Sequence, residues 1–230
     1  NITTNTVSVA WGPAGDYEVR YRPVQDPVLF EDFEDGLPSG WTTVDNDGDG
    51  YDWYYVENTN SYSGNVCMTS ASYQSGVLYP DNLLISPQVQ LGGYVSFCAV
   101  GQDPAWPLEH FAIYVSTTGT DPANFTQVSE EFLAYGEYTR YTADLSSYSG
   151  MGYIAIRHFN VSNMFRLNID DFGVYANEPW IVQTTDEPSY TLTNLLATTE
   201  YELQVRKDCG GEYSFWSDAL VFTTPCNVNA

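Results

Sequence analysis

The chain has 230 residues, of which 43% are hydrophobic and 16% aromatic, so it contains ample material for one or two packed cores. This composition excludes an acidic tail that stays unfolded because it cannot bury enough apolar surface. Thirty Asp and Glu face only seven Lys and Arg, and the formal net charge of −23 makes nucleic acid and anionic membranes poor partners and favours cations or basic surfaces.

Alternating hydrophobicity predicts β-strands from the N-terminus onward. Helical periodicity is hard to find, and Gly, Pro, Asn, Asp and Ser interrupt the chain at short intervals. The pattern therefore predicts an all-β protein built from antiparallel sandwiches or barrels. The clearest period-two faces are Val7, Val9 and Trp11, then Tyr17, Val19 and Tyr21, and later Tyr201, Leu203 and Val205.

The segment VDNDGDGYDW at residues 44–53 concentrates carboxylates in a chain that is already strongly acidic. Asp45, Asp47 and Asp49 alternate, with glycines after the second and third, as in the first half of a calcium loop. The twelfth position lacks the bidentate Glu of an EF-hand, and calcium needs about six to eight oxygens, so further ligands must come from elsewhere. Asp52 is one candidate. A solvated acidic turn without a cation is the alternative.

The middle of the chain offers weaker candidates for a site. Trp106 lies between two prolines in QDPAWPLEH, where a stiff loop could present the indole to a sugar or a partner, and core packing is the alternative. His110 and His158 occur in strand-like stretches, where a partly buried histidine with satisfied hydrogen bonds is the commoner outcome. GxSxG, HExxH and Gly-rich phosphate motifs are absent from the sequence, so we predict no enzyme.

The cysteines and the lack of apolar runs suggest an exported protein. Cys67, Cys98, Cys209 and Cys226 have neither CxxC nor Cys/His metal spacing, which favours disulfides over zinc, with buried thiols as the alternative. We predict the pairs Cys67–Cys98 and Cys209–Cys226, the latter flanking the last hairpin. No run approaches the roughly 18 to 20 apolar residues that cross a bilayer, and no secretory signal survives at the Asn1 end. We therefore expect no membrane insertion and interpret the chain as a mature piece of a longer protein.

The two ends of the chain resemble parts of one fibronectin type III domain. NTVSVAWGPAGDYEVRYRP at residues 5–23 resembles its second and third strands. PSYTLTNLLATTEYELQVRKDCGGEYSFWSDALVFTTP at residues 188–225 resembles its fifth strand, its LxPxTxY corner and its last strand, although Ala197 stands where that family usually has Pro. The resemblance implies a small sandwich whose two parts are far apart in sequence.

The resemblance predicts a domain inserted within a domain. Residues 1–25 and 178–230 would form the fibronectin-like sandwich, and residues 26–177 would be inserted at a surface connection. Trp11 must then pack with Tyr201, Leu203 and Val205. The alternative, two sandwiches in tandem, leaves an N-terminal segment that could not bury Trp11.

The inserted segment resembles the cleaved adhesin domains of gingipain proteases and related surface haemagglutinins over essentially all of residues 28–175. Five blocks carry the resemblance in order: FEDFEDGLPSGWTTVDNDGDGYDW, SYSGNVCMTSASY, PDNLLISPQV, FCAVGQDPAWPLEHFAIYVSTTGTDPANF and IAIRHFNVSNMFRLNIDDFGVY. The family implies a jelly-roll β-sandwich, distantly like MAM domains, that binds calcium and serves adhesion. Its proteolytic cysteine and histidine belong to a separate catalytic domain that nothing here resembles.

The family resemblance also suggests a second cation site at the two ends of the inserted segment. Glu34 occupies a position that is acidic in the family and in MAM-like domains, and Asp170 lies on the closing strand. First and last strands meet in such folds, so these two carboxylates, with Asp32 or Asp171, would repel one another unless a cation joined them. Independent exposed carboxylates are the alternative.

These observations predict a noncatalytic, calcium-binding adhesin module of a larger, secreted or cell-surface protein of bacterial type. Its expected partners are a host protein, matrix component or glycan, together with neighbouring domains of the same polypeptide. Two other classes stay open at this point. One is a carbohydrate-active enzyme, because jelly rolls host glycosidases, and the other is a passive spacer domain.

Overall fold

In the computed structural model, the structure describes residues 1–24, 26–57, 61–176 and 180–226. These residues form β-strands and one short 3-10 turn, Pro122–Asn124, which confirms the all-β class. No helix among them has the length and hydrophobicity required to cross a membrane. The strands are β1 Val7–Ala10, β2 Tyr17–Pro23, β3 Leu29–Glu31, β4 Thr42–Asp45, β5 Tyr54–Glu57, β6 Val66–Ala71, β7 Asn82–Ile85, β8 Val89–Leu91, β9 Tyr94–Gly101, β10 His110–Ser116, β11 Thr126–Gln127, β12 Phe132–Leu133, β13 Thr139–Asp144, β14 Gly150–His158, β15 Arg166–Tyr175, β16 Ile181–Thr185, β17 Ser189–Leu192, β18 Glu200–Lys207 and β19 Leu220–Thr223.

The chain divides into two compact units. The smaller unit combines Asn1–Asp26 with Glu178–Ala230, and the larger unit is Pro27–Asn177. The boundary positions 25, 177 and 178 that the sequence suggested lie outside the described residues. Whether each unit folds by itself stays a prediction.

The larger unit consists of two antiparallel sheets around one core. One sheet has the order β11-β10-β14-β7-β4, with β12 beside β10 and β8 beside β14. The other has the order β13-β9-β15-β6-β5, with β3 beside β15. Side chains from both sheets share a single hydrophobic cluster, for example Phe97 and Ile169 with Phe111 and Ile156. A β-sandwich results, because each sheet buries one face against the other.

The central strands of this sandwich are buried on both faces. Every residue of β6 and of β7 is buried, although their sequences, VCMTSA and NLLI, include polar side chains. The outer face of the first sheet carries a second cluster that includes Leu83, Ile85 and Tyr114. Strands buried on both faces therefore occur in these antiparallel sheets, and in the first sheet the second cluster covers the outer face.

The closing strand β15 contains an irregularity at the predicted site residues. Its pairing with β9 shifts register between Asp170 and Gly173, and Asp171 has a φ of +50°. Asp tolerates this left-handed conformation better than most residues because its short side chain can bond locally. The bulge lies beside β6 and β3, so it brings the end of the unit close to its beginning.

The smaller unit has a two-stranded sheet, β1-β17, and a four-stranded sheet, β16-β2-β18-β19. Their buried side chains form one cluster that includes Val7, Val19, Leu192 and Leu203, with Trp11 packed against it. Near the start of β18, the backbone N–H of Leu196 donates to the Tyr201 hydroxyl at 2.9 Å. Strands from both ends of the sequence therefore build this unit together.

Arginine and aromatic side chains alternate along the four-stranded sheet of the smaller unit. Arg20 lies between two indoles, 4.3 Å from the ring centre of Trp180 and 4.1 Å from that of Trp216. Such contacts contribute about 0.5–1 kcal/mol each at exposed sites. In order along the sheet, the alternating residues are Arg22, Trp180, Arg20, Trp216, Arg206 and Tyr213.

The predicted disulfide between Cys67 and Cys98 is wrong. All four cysteines lie in described residues, and none forms a disulfide. Cys98 pairs with Asp170 of β15, and the register of β6 places Cys67 opposite the same residue from the other side. Two strand spacings of about 4.8 Å separate their Cα atoms by nearly 10 Å, beyond the reach of a disulfide.

The predicted disulfide between Cys209 and Cys226 is also wrong. The backbone N–H of Thr198 donates to the carbonyl of Pro225 at 3.3 Å, so Cys226 lies beside the start of β18. Cys209 follows the other end of that strand. Eight strand residues at about 3.3 Å each hold the two thiols at opposite ends of the hairpin.

Candidate functional site

The acidic loop, residues 45–52, connects β4 to the segment before β5. Carboxylate oxygens of Asp45, Asp47 and Asp49 all lie within 4.8 Å of one another. Within the described parts of the chain, no other group of three or more His, Cys, Asp or Glu side chains converges this closely. Three of the four aspartates named for this loop are therefore brought together.

Backbone N–H groups of the loop shape this arrangement. The Asp45 carboxylate accepts hydrogen bonds from the N–H groups of Gly48 at 2.7 Å and Gly50 at 2.8 Å. Gly48 and Gly50 have φ values of +75° and +88°, a region that residues with a side chain rarely adopt. The alternation of Asp and Gly thus folds the chain back so that successive carboxylates face the same point.

The proximity of these carboxylates perturbs their ionisation. Burial, together with a hydrogen bond from Asp45, raises the pKa of Asp47 to about 6. The pKa of Asp45 is lowered, chiefly by the same hydrogen bond with Asp47 and despite its slight desolvation. Two carboxylates that perturb each other's ionisation mark a place where a positive charge is favourable.

Asp52, the fourth aspartate named for the loop, is directed elsewhere. Burial raises its pKa, while hydrogen bonds with the Thr43 side chain and the Trp53 backbone oppose that rise. It is not one of the three converging side chains. In this arrangement it anchors the end of the loop to β4.

Asp81 supports the acidic loop, and our sequence analysis missed it. Its backbone N–H donates to Asp47 Oδ2 at 3.0 Å, and its carboxylate accepts a hydrogen bond from the Asn46 amide at 2.6 Å. Arg157 binds both carboxylate oxygens of Asp81, at 2.5 and 2.7 Å. Asp81 immediately precedes β7, the strand that pairs with β4, and that pairing is the signal that could have identified it.

The second acidic region, which we call the clasp, consists of Glu34, Asp170 and the loop Tyr62–Val66. Glu34 Oε1 accepts hydrogen bonds from the N–H groups of Asn65 and Val66, both at 2.7 Å. Asp170 Oδ2 accepts from Tyr62 at 2.7 Å and from Ser63 at 3.0 Å. The two carboxylates therefore bind opposite ends of one loop.

The two other acidic residues predicted for this site, Asp32 and Asp171, lie beside the clasp and also accept hydrogen bonds. Asp32 accepts a hydrogen bond from the N–H of Glu34 at 3.2 Å, and Asp171 accepts one from the Ser63 hydroxyl at 2.7 Å. Asp170 is fully buried, and desolvation raises its pKa to about 6 against the hydrogen bonds from the backbone. The predicted second cation site stays a prediction.

A buried polar network runs between the two sheets. His158 Nε2 lies 3.0 Å from a Glu109 carboxylate oxygen, and His158 Nδ1 lies 2.8 Å from the Ser70 hydroxyl. All three side chains are fully buried. The arrangement has the order of a Ser-His-Glu triad, but substrate cannot reach it, so these groups satisfy each other within the core.

Trp106 lies at the surface. Its side chain is 55% exposed, and its loop is closed by hydrogen bonds from the N–H groups of Ala105 and Trp106 to Asp103. The structure therefore favours presentation of the indole over the alternative of core packing.

The cleaved adhesin domain model matches residues 27–174. The chain belongs to the cleaved adhesin domain family. Hemagglutinin A of Porphyromonas gingivalis is 35% identical over 192 residues, which cover 72% of this chain and 7% of that protein. Gingipain R1 of the same species is 36% identical over 172 residues, which cover 65% of this chain and 10% of that protein. The chain thus corresponds to a small part of these relatives.

Solved structures give the same result for the cleaved adhesin domain. The K1 domain of Lys-gingipain from Porphyromonas gingivalis matches with a TM-score of 0.61 and 36% identity, covering 65% of this chain and 98% of that domain. The K3 domain matches with a TM-score of 0.60 and 32% identity, covering 66% of this chain and 100% of that domain. Nearly all of each solved domain is therefore represented here, which confirms the family resemblance seen in the sequence.

Proposed function

We propose that this chain is a noncatalytic, calcium-binding adhesin module of a larger exported bacterial protein. The observation that carries the proposal is the convergence of three carboxylates within 4.8 Å in a domain of the cleaved adhesin family. The relatives include a hemagglutinin and gingipains of one bacterial species, which supports a secreted or cell-surface location.

Calcium fits the acidic loop because the donors are hard oxygens. Asp45, Asp47 and Asp49 would hold the ion, and it would supply positive charge where these carboxylates repel one another. Water and backbone carbonyls would complete the coordination, since calcium takes about six to eight oxygens. The role proposed for the ion is structural, and it fixes a loop that connects the two sheets.

The clasp is the proposed second calcium site. Backbone N–H groups already bind Oε1 of Glu34 and Oδ2 of Asp170. The groups that remain for a cation are Oε2 of Glu34 and the carboxylates of Asp32 and Asp171. A cation there would join the first and last strands of the unit.

The proposed ligand is a host protein, a matrix component or a glycan, bound by loops that the β-sandwich holds in place. An array of immobilised matrix proteins and glycans, probed with calcium and with chelator, tests this. We expect saturable binding to one class and weaker binding in chelator. Asp47→Asn should reproduce the effect of chelator, whereas Glu137→Gln removes an equal, exposed charge and should not. Saturable binding to nothing on the array would favour a passive spacer.

We propose further that the smaller unit is a fibronectin type III-like sandwich that carries the adhesin domain as an insertion. The strand orders β1-β17 and β16-β2-β18-β19 and the bond between Leu196 and the Tyr201 hydroxyl support it, because such a tyrosine corner is typical of these sandwiches.

Deletion and joining experiments test the insertion. A chain in which a short Gly/Ser linker joins Pro23 to Trp180 should fold alone, and residues 26–177 should fold when calcium is supplied, because each part keeps its own core. Deleting residues 1–23 should unfold the smaller unit and spare the larger. If the joined chain stays unfolded while the full chain is stable, the insertion is wrong.

A further inference from the structure

A surface cavity of about 290 Å³ lies in the larger unit between two short segments, Tyr79–Pro80 and Asn160–Ser162. Its volume is at the lower end of the roughly 300–1,000 Å³ typical of small-molecule sites. Neither segment contributes to the acidic loop or the clasp, and Trp106 does not line the cavity. The cavity is therefore separate from the sites described above.

One wall of the cavity presents an aromatic ring to solvent. Tyr79 is 73% exposed, and the proline that follows restricts its backbone to extended conformations. Pro80 itself is buried. The next residue, Asp81, is fixed by its two hydrogen bonds from Arg157 and by its N–H bond to Asp47. The ring is thus carried on a backbone that is already ordered.

The opposite wall presents polar groups. Asn160 has a φ of +56°, and its amide nitrogen donates to the Glu131 carboxylate at 3.0 Å, which fixes the direction of the side chain. The amide oxygen of Asn160 and the hydroxyl of Ser162 have no hydrogen-bond partner within the described residues. Both residues line the cavity, and both groups are available to bond to a ligand.

An exposed aromatic ring in the same cavity as an amide and a hydroxyl is the chemistry that recognises a sugar ring. The C–H face of a hexose packs on an aromatic ring, and its hydroxyl groups exchange hydrogen bonds with amide and hydroxyl groups. Residues 27–177 contain nineteen Asp and Glu, three Arg and no Lys, so the field around the cavity repels anions. Anionic ligands, including sialylated and sulfated glycans, are therefore disfavoured, and among glycans a neutral one fits best.

We propose that this cavity is a subsite for a neutral hexose unit of a glycan, stacked on Tyr79 and hydrogen-bonded by Asn160 and Ser162. The proposal rests on the adhesin function proposed above and specifies the chemistry of its ligand. Because the bonds of Asp81 order the backbone that follows Tyr79 and Pro80, and the bond to Glu131 fixes the Asn160 side chain, the loss of conformational entropy on binding is reduced.

Saturation-transfer NMR of the full chain with methyl hexosides and N-acetylhexosamines, with sialyllactose as the anionic comparison, tests the proposal. We expect transfer to at least one neutral sugar and less to sialyllactose. Tyr79→Ala should weaken binding about tenfold, the size expected for a lost aromatic contact, and Ser162→Ala should weaken it less. Tyr135→Ala removes an exposed ring outside the cavity and should leave binding unchanged.

Three results would overturn the subsite: no transfer to any neutral sugar, equal binding by Tyr79→Ala and wild type, or an equal loss in Tyr135→Ala. Melting curves verify that the variants are folded, and because Tyr79 is mostly exposed its replacement should leave the melting temperature unchanged. If the array detects a protein ligand while no sugar binds, the adhesin function stands and only the subsite is wrong.

Discussion

The acidic loop and the clasp gather carboxylates in the same sandwich in two different ways. In the acidic loop, three aspartates face one another, and Asp45 and Asp47 shift each other's pKa in opposite directions. In the clasp, Glu34 and Asp170 each take two N–H groups from one loop. Backbone N–H groups thus stabilise carboxylates in both regions, and in the acidic loop three carboxylates also converge closely enough to share one cation.

The difference has a consequence for stability. Removing a carboxylate from the clasp leaves backbone donors without partners, so the fold should suffer with or without calcium. Removing one from the acidic loop relieves repulsion in the absence of calcium and removes a ligand in its presence. Chelation should therefore change the stability cost of a substitution in the acidic loop more than that of a substitution in the clasp.

The largest effect is expected from Asp170→Ala. Three backbone N–H groups, those of Tyr62, Ser63 and Asp171, would lose a fully buried acceptor, at a cost of about 3 kcal/mol or more in unfolding free energy. Urea denaturation in chelator measures it. Asp170→Asn keeps one acceptor oxygen and should lose less. Asp171→Asn, which tolerates the positive φ and keeps its oxygen, should be nearly neutral. Equal losses in all three variants would contradict the role assigned to the clasp.

Calcium should stabilise the wild-type chain by about 2.7 kcal/mol when its free concentration is 100 times the dissociation constant. Chelation should accordingly lower the melting temperature by roughly 5–10 °C. Asp47→Asn should shrink this difference, and Glu137→Gln should preserve it. An identical melting curve in excess chelator would count against calcium at both regions.

Alanine substitutions at one glycine of each region should distinguish the two regions by a smaller difference in unfolding free energy. A Cβ on Gly64 would lie 2.2 Å from the Glu34 carboxyl carbon, whereas a Cβ on Gly48 would meet nothing within 4 Å. Both have positive φ, so alanine at either should cost about 1–2 kcal/mol in backbone strain. Gly64→Ala should cost about 1–3 kcal/mol more, because it displaces Glu34 from its two N–H donors. Urea melts in which Gly48→Ala is the less stable variant would refute this difference.

The smallest expected effect is the change in stability with pH in the absence of calcium. Burial raises the pKa of Asp170 to about 6 from an ordinary 3.8, so the native state binds its proton more tightly than the unfolded state does. Stability should then fall as the pH rises from about 4 to 6, and the chelated protein should be more stable at pH 5 than at pH 7. With calcium the trend should weaken or reverse, because the cation requires ionised ligands. Urea midpoints across this range measure it, and a steady rise in chelator would contradict the assignment.

The acidic loop could be predicted from sequence because its geometry is local. Alternating Asp and Gly between Asp45 and Gly50 specifies both the ligands and the turn, since Asp45 bonds to N–H groups only three and five residues away. Asp52 was misplaced for a similar reason. It is close in sequence, yet its hydrogen bond to Thr43 directs it away from the other three.

The clasp and the cysteines required the tertiary structure. The sequence predicted that Glu34 and Asp170 lie near each other, but it did not predict the loop that both bind. The loop donates through backbone N–H groups, such as those of Tyr62 and Asn65, and no side-chain pattern marks a backbone donor. Cys67 and Cys98 occur in neighbouring parts of the sandwich, yet β15 lies between their strands. Strand order separates or joins residues regardless of how suitable their side chains are.

The sequence by itself determined the all-β class, the cleaved adhesin family and the convergence of Asp45, Asp47 and Asp49. Each depends on residue alternation, on ordered blocks or on contacts within a few positions, which are properties of the chain read in order. Tertiary structure alone decided that the cysteines are not paired as predicted and that Glu109 is buried with His158. It also decided that Asp81 supports the acidic loop and that a cavity lies beside Tyr79. These depend on strand order and register, which bring residues 30 to 90 positions apart into contact and which no local pattern encodes.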